Sequence, residues 1–121
     1  LAKRKISIED GQAALAAVVA GGSGRSSLAT AVRFLLEDLA ELAPGNSVEV
    51  RVPPFGATQC VPGPRHTRGT PPNVIEMDPE TWIALATGTL DWNEALTSAL
   101  VVASGSRANL DGLLPFARPR V

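Results

Sequence analysis

The sequence predicts an α+β domain in which helices cover a mainly antiparallel sheet of four to five strands. Three observations carry this. Two long helical runs open the chain, a block of short alternating or apolar segments comes next, and the short helices of the second half each begin at their own capping residue. Helices and strands fall in blocks, and that order favours an antiparallel sheet with helices on one face. The 121 residues suit one domain with one core, expected over residues 1–121 with 116–121 as a tail.

Ser7 opens the first helix, with Asp10 three residues on as a weak form of the capping box. The Ala-rich run 12–20 presents Leu15, Val18 and Val19 on one face, and Gly21-Gly22 ends it. Ser26 or Ser27 is the expected cap of a second helix reaching about Leu42. There Leu28, Val32, Leu35, Leu39 and Leu42 form a stripe, with Arg33, Glu37 and Glu41 off it. Pro44-Gly45-Asn46 turns the chain.

Residues 48–52 alternate apolar and polar, as a half-buried strand does, and Pro53-Pro54 halts them. Residues 55–61 form the next expected strand. Residues 62–72 hold four prolines and two glycines and read as a loop or an edge strand. A short strand is expected at 73–77. Asp78-Pro79 and Asp91 through Glu94 are helix starts: the carboxylates accept free amides, and Pro79 loses no hydrogen bond in the first turn. Residues 100–103, apolar with Val101 and Val102 β-branched, predict a buried strand. Asn109 then caps a last short helix bearing Leu110, Leu113 and Leu114, stopped by Pro115.

Composition excludes several classes. Hydrophobic residues at 45% against 19% charged make the chain globular. A formal net charge of −1 argues against a nucleic-acid partner. The single cysteine, Cys60, rules out an internal disulfide and fits a reduced, cytoplasmic setting. No apolar run approaches the roughly 20 residues of a membrane span, so no integral membrane segment is expected. Lys3, Arg4 and Lys5 precede Ile6 and Ile8 without the apolar core of a signal peptide. The oligomeric state stays open, a dimer included.

The stretches N-V-I-E-M-D-P-E-T-W, L-A-T-G-T-L-D-W-N-E-A and A-L-V-V-A-S-G-S-R-A-N-L-D-G-L-L resemble the C-terminal half of sterol carrier protein 2 domains. With A-P-G-N-S-V-E-V-R-V-P-P-F-G-A and G-P-R-H-T-R-G-T-P-P-N-V, nearly the whole chain is similar to a group of small actinobacterial sterol-carrier-like proteins. The resemblance implies a five-stranded sheet under helices, enclosing an apolar tunnel for sterols, fatty acyl groups or phospholipids. It also implies non-enzymatic lipid binding or transfer without a cofactor. Ala99 departs from it, standing where the relatives usually carry Gly before the last strand.

On that reading Trp82, Leu85, Trp92, Leu96, Leu110, Leu113 and Leu114 line the lipid site. The plainer reading makes the same residues an ordinary core, since pocket and core share one lining chemistry. Arg65 and Arg68 are the candidate head-group or anion contacts, because the arginine fork suits phosphate and carboxylate. Against this, a loop arginine is commonly solvated or paired, here with Glu76, Asp78 or Glu80. His66 is the only histidine and has no partner at metal-binding or catalytic spacing, so neither catalytic nor metal-ligating residues are expected. Cys60 lies mid-strand and reads as a small buried apolar residue. V-A-G-G-S-G-R-S lacks the first glycine, the lysine and the preceding strand of a phosphate loop, and no nucleophile-elbow motif occurs. The competing class is therefore an interaction or accessory module whose pocket has collapsed into core.

Overall fold

A computed structural model describes residues 4–21, 24–63 and 73–117. Two helices come first. In α1 (Ile8–Val19) the Ser7 hydroxyl accepts the Asp10 amide at 3.0 Å, as the sequence pattern requires. The longer α2 (Arg25–Leu42) starts earlier than expected: Gly24 is its N-cap, with no side-chain bond, and Ser26 and Ser27 fall inside the first turn. Its buried face is broader than the stripe of leucines, because Ala31, Phe34 and Leu36 are buried beside Val32, Leu35 and Leu39. This helix packs against α1 as well as the sheet, so two of its sides are covered. Leu42, at its end, is 52% exposed.

Strands β1 (Val48–Val52) and β2 (Gly56–Cys60) form an antiparallel hairpin in which Val48 faces Cys60 and Val52 faces Gly56. Strand β3 (Val74–Met77) pairs with the other side of β1, and it does so in parallel, Val50 against Ile75. Strand β4 (Val101–Ser104) closes the row antiparallel to β3. The described residues thus form a four-stranded mixed sheet, β2-β1-β3-β4, with one parallel pairing between two antiparallel ones. The fifth strand implied by the resemblance does not occur among them. Val48, Val50, Val52, Cys60, Ile75, Met77 and Val101 are buried and belong to one core with the helices.

Residues 100–103 do not form the fully buried strand their composition suggests. Strand β4 lies at the sheet edge with only Val101 buried; Leu100 and Val102 are 43% and 69% exposed. An edge strand with one covered face buries alternate residues at most.

The remaining elements begin at their caps. Asp78 Oδ1 accepts the Thr81 amide at 2.8 Å to begin α3 (Pro79–Thr87), and Gly88 ends it at φ +91°. Asp91 Oδ1 does the same for Glu94 at the start of α4 (Trp92–Thr97). Asn109 Oδ1 accepts the Asp111 amide at 2.8 Å, but the chain then makes only a single 3₁₀ turn, Asp111–Leu113, in place of the expected helix. Phe116 and Ala117, expected to begin a tail, instead dock on α3: both amides donate to the Ala86 carbonyl at 3.0 Å, and Ala117 is buried.

Candidate functional site

Between α2 and the edge strand β2 runs a groove of about 410 Å³. One wall is the α2 face carrying Arg33, Leu36, Glu37, Ala40 and Glu41. The second is Phe55, Gly56, Ala57 and Thr58, and the third is residues 4–6 ahead of α1. Its volume lies within the usual range of ligand sites, roughly 300–1,000 Å³.

Local chemistry sets each wall. Pro53-Pro54 stops β1, and the chain turns so that the Phe55 amide donates to the Val52 carbonyl at 2.9 Å. Phe55 is thereby buried at the head of β2, where Arg33 Nε donates to its carbonyl at 2.8 Å. The guanidinium groups of Arg25 and Arg33 lie 5.0 and 5.9 Å from the Phe55 ring centroid, within cation–π range. A Cβ on Gly56 would meet Leu36 Cδ1 at 3.4 Å, an ordinary van der Waals contact, so Leu36 lies directly over the strand at the groove floor.

The third wall is held by charge. Arg4 Nη1 donates to Asp38 Oδ1 and to Glu41 Oε1, both at 2.7 Å, and its guanidinium lies 5.1 Å from the Phe34 ring centroid. The Glu37 carboxylate accepts two successive amides, Lys5 at 2.9 Å and Ile6 at 3.1 Å. Burial raises the Asp38 pKa above the ordinary carboxylate value, against the opposing pull of Arg4. For Arg4, desolvation acts downward, but hydrogen bonds and charge from Asp38 and Glu41 outweigh it and hold the guanidinium above its ordinary range. Lys5 and Arg33, also on the groove, form no ion pair among the described residues. The groove therefore has an apolar floor and a rim of mixed charge, Arg4, Lys5 and Arg33 alongside Glu37 and Glu41.

The leucines and tryptophans singled out in the sequence lie elsewhere. Trp82, Leu85, Trp92 and Leu110 are within 3% of complete burial. Trp82 Nε1 donates to the Val32 carbonyl at 3.2 Å, and its ring packs 5.8 Å from that of Phe116. Leu113 and Leu114 are half-buried against the same core, while Leu96 is 38% exposed. None of the seven lines the groove. Arg65, His66 and Arg68 fall outside the described residues. Sequence reasoning missed Arg4, Glu37 and Phe55 as groove residues. The signal present was the cluster Glu37, Asp38 and Glu41 on one helix, complementary in charge to Arg4 and Lys5.

Among the described residues no group of three or more His, Cys, Asp or Glu could hold a metal ion, and no helix is long and apolar enough to cross a membrane. A comparison with curated proteins gives no match. Residues 24–116 match the family model described as bacterial SCP ortholog, where SCP denotes sterol carrier protein. The matched span takes in α2, all four strands, α3, α4 and the 3₁₀ turn, and it leaves α1 and residues 4–6 outside. With this match over more than half its length, on a helix-covered four-stranded α+β sheet, the chain belongs to the sterol carrier protein-like family of bacterial SCP orthologs.

Proposed function

We propose that this protein binds a lipid by its apolar portion in the groove between α2 and β2 and carries it without a chemical step. The observation that supports this reading is the groove itself, about 410 Å³ with Leu36, Ala40, Phe55 and Ala57 on its walls. The driving force is transfer of the ligand's apolar surface out of water, about 0.8 kcal/mol for each buried methylene. Eight methylenes would contribute roughly 6 kcal/mol before the cost of immobilisation is subtracted. Family membership points the same way. Nothing in these walls selects a sterol over an acyl chain. The single cysteine fits action in the cytoplasm.

Native mass spectrometry of gently purified protein tests the reading, with a titration of the delipidated form by cis-parinaric acid. The expected result is one co-purifying lipid per chain and saturable energy transfer from Trp82 and Trp92 to the probe. Protein that carries no lipid and gives no saturable transfer is the accessory module that the sequence also allowed, and the carrier reading is then wrong.

A further inference from the structure

We propose that residues 4–6 form a releasable strap that gates the groove, with the Glu37 carboxylate as its latch. This rests on the carrier reading above and adds the control of ligand entry to it.

The strap's polar anchors converge on one helix. Lys5 and Ile6 give their amides to the two oxygens of Glu37, and Arg4 gives Nη1 to Asp38 and Glu41. These acceptors occupy consecutive and i+4 positions of α2, so they present one face to the strap. The strap can therefore leave α2 as a unit. The element behind it is held separately: Leu15 of α1 is fully buried, and Gly11 packs directly on the Phe34 ring. Ser7, extended at φ −66° and ψ 154° and tied to the Asp10 amide, marks the point where strap and helix divide.

The closed strap is also incompletely satisfied. Arg4 Nε and Nη2 are buried without a hydrogen-bond partner among the described residues. Each such donor forgoes the hydrogen bond that water would give it. Asp38 is desolvated beside them, and burial disfavours its charged form. Opening returns these groups to solvent, which offsets the latch bonds that are lost. Ile6 packs partly buried against the core and Arg4 lies over Phe34, so opening the strap gives up these two contacts and the latch bonds while the rest of the core stays closed, a local event below the free energy of global unfolding. Its opening removes the third wall of the groove, where Arg4, Lys5 and Ile6 now stand. Residues 4–6 precede the family-matched span 24–116, whereas the latch residues Glu37, Asp38 and Glu41 lie within it.

The test compares the full chain with its Glu37→Gln variant by two measurements. Glutamine keeps the volume but offers one acceptor oxygen in place of two. Amide hydrogen exchange reads the strap at Lys5 and Ile6, with Leu15 and Leu35 as controls in α1 and α2. Stopped-flow mixing with cis-parinaric acid reads entry. Loss of a charged hydrogen bond should speed exchange of the two strap amides by about tenfold or more, since 1.4 kcal/mol is a factor of ten. Association of the probe should accelerate with it, while Leu15 and Leu35 keep their protection. Strap amides that exchange alike in both proteins overturn the latch. Exposed strap amides with an unchanged association rate overturn the gate and leave the carrier reading standing. A probe that binds neither protein overturns the carrier reading, and the gate with it.

Discussion

A Cβ placed on Gly11 would lie 2.1 Å from Phe34 Cδ1, so α1 and α2 meet at a point where only glycine fits. Phe34 is 1% exposed, and its ring atoms cannot withdraw into solvent. Elsewhere in a helix, Gly→Ala would stabilise by roughly 0.5–1 kcal/mol through backbone entropy. Here overpacking opposes that gain and is the larger effect, typically about 1–3 kcal/mol. Gly11→Ala is expected to destabilise the protein by about 1–2 kcal/mol in urea unfolding. A stabilised variant would show that the two helices part without cost.

Ala99 adopts φ +58°, the left-handed conformation, directly after the C-cap Ser98 of α4. Its amide donates to the Leu96 carbonyl at 3.1 Å, and Leu100 closes the turn by donating to Ala95 at 2.9 Å. Glycine is the usual residue at such a helix exit. A non-glycine residue pays roughly 1–2 kcal/mol for the left-handed region. Ala99→Gly recovers part of this and loses some to the greater freedom of the unfolded chain. The expected net gain is about 0.5–1 kcal/mol, read as a higher urea midpoint at unchanged slope.

Cys60 is fully buried opposite Val48, and desolvation pushes its thiol from 9.0 to about 11. Between those values the unfolded chain is a thiolate while the folded chain keeps its proton. The folded state then binds more protons, so stability falls as pH rises. The contribution is fully present below pH 9 and is lost through about pH 11. Two pKa units correspond to about 2–3 kcal/mol. Cys60→Ala removes this slope at the expense of a small cavity, so the stability difference between parent and variant should shrink across this window. A difference independent of pH would show that the thiol ionises freely in the folded protein.

Local chemistry made much of the fold legible. Ser7, Asp78, Asp91 and Asn109 each accept the amide of a residue two or three positions on, because a cap and its partner are near neighbours in the chain. The alternation of residues 48–52 marked β1 and its buried face for the same reason. The features that were not legible are non-local. Period-two alternation carries no direction of pairing, so the parallel match of β1 with β3 could not be read. An apolar run does not say whether it is central or at an edge, hence the misreading of residues 100–103. The groove is the extreme case. It is a space between elements, and its polar bonds join Arg4, Lys5 and Ile6 to residues more than thirty positions away.

Where the ligand sits can be decided from Ala40. Its small side chain is half-buried on the α2 wall, on the rim side of the core. An indole at this position projects into the groove and occupies space an acyl chain would need, without entering the packing around Leu35 and Leu39. Ala40→Trp should therefore weaken cis-parinaric acid binding more than about tenfold, or 1.4 kcal/mol. As a partly exposed substitution it should leave the unfolding free energy in urea within about 0.5 kcal/mol of the parent. The seven residues Trp82, Leu85, Trp92, Leu96, Leu110, Leu113 and Leu114 make the opposite prediction. A ligand among them would have to separate α3 from the 3₁₀ turn, and Ala40 would not touch it. An Ala40→Trp protein that binds the probe with its parent's affinity would place the ligand there, and Leu113→Ala should then change binding where Ala40→Trp did not.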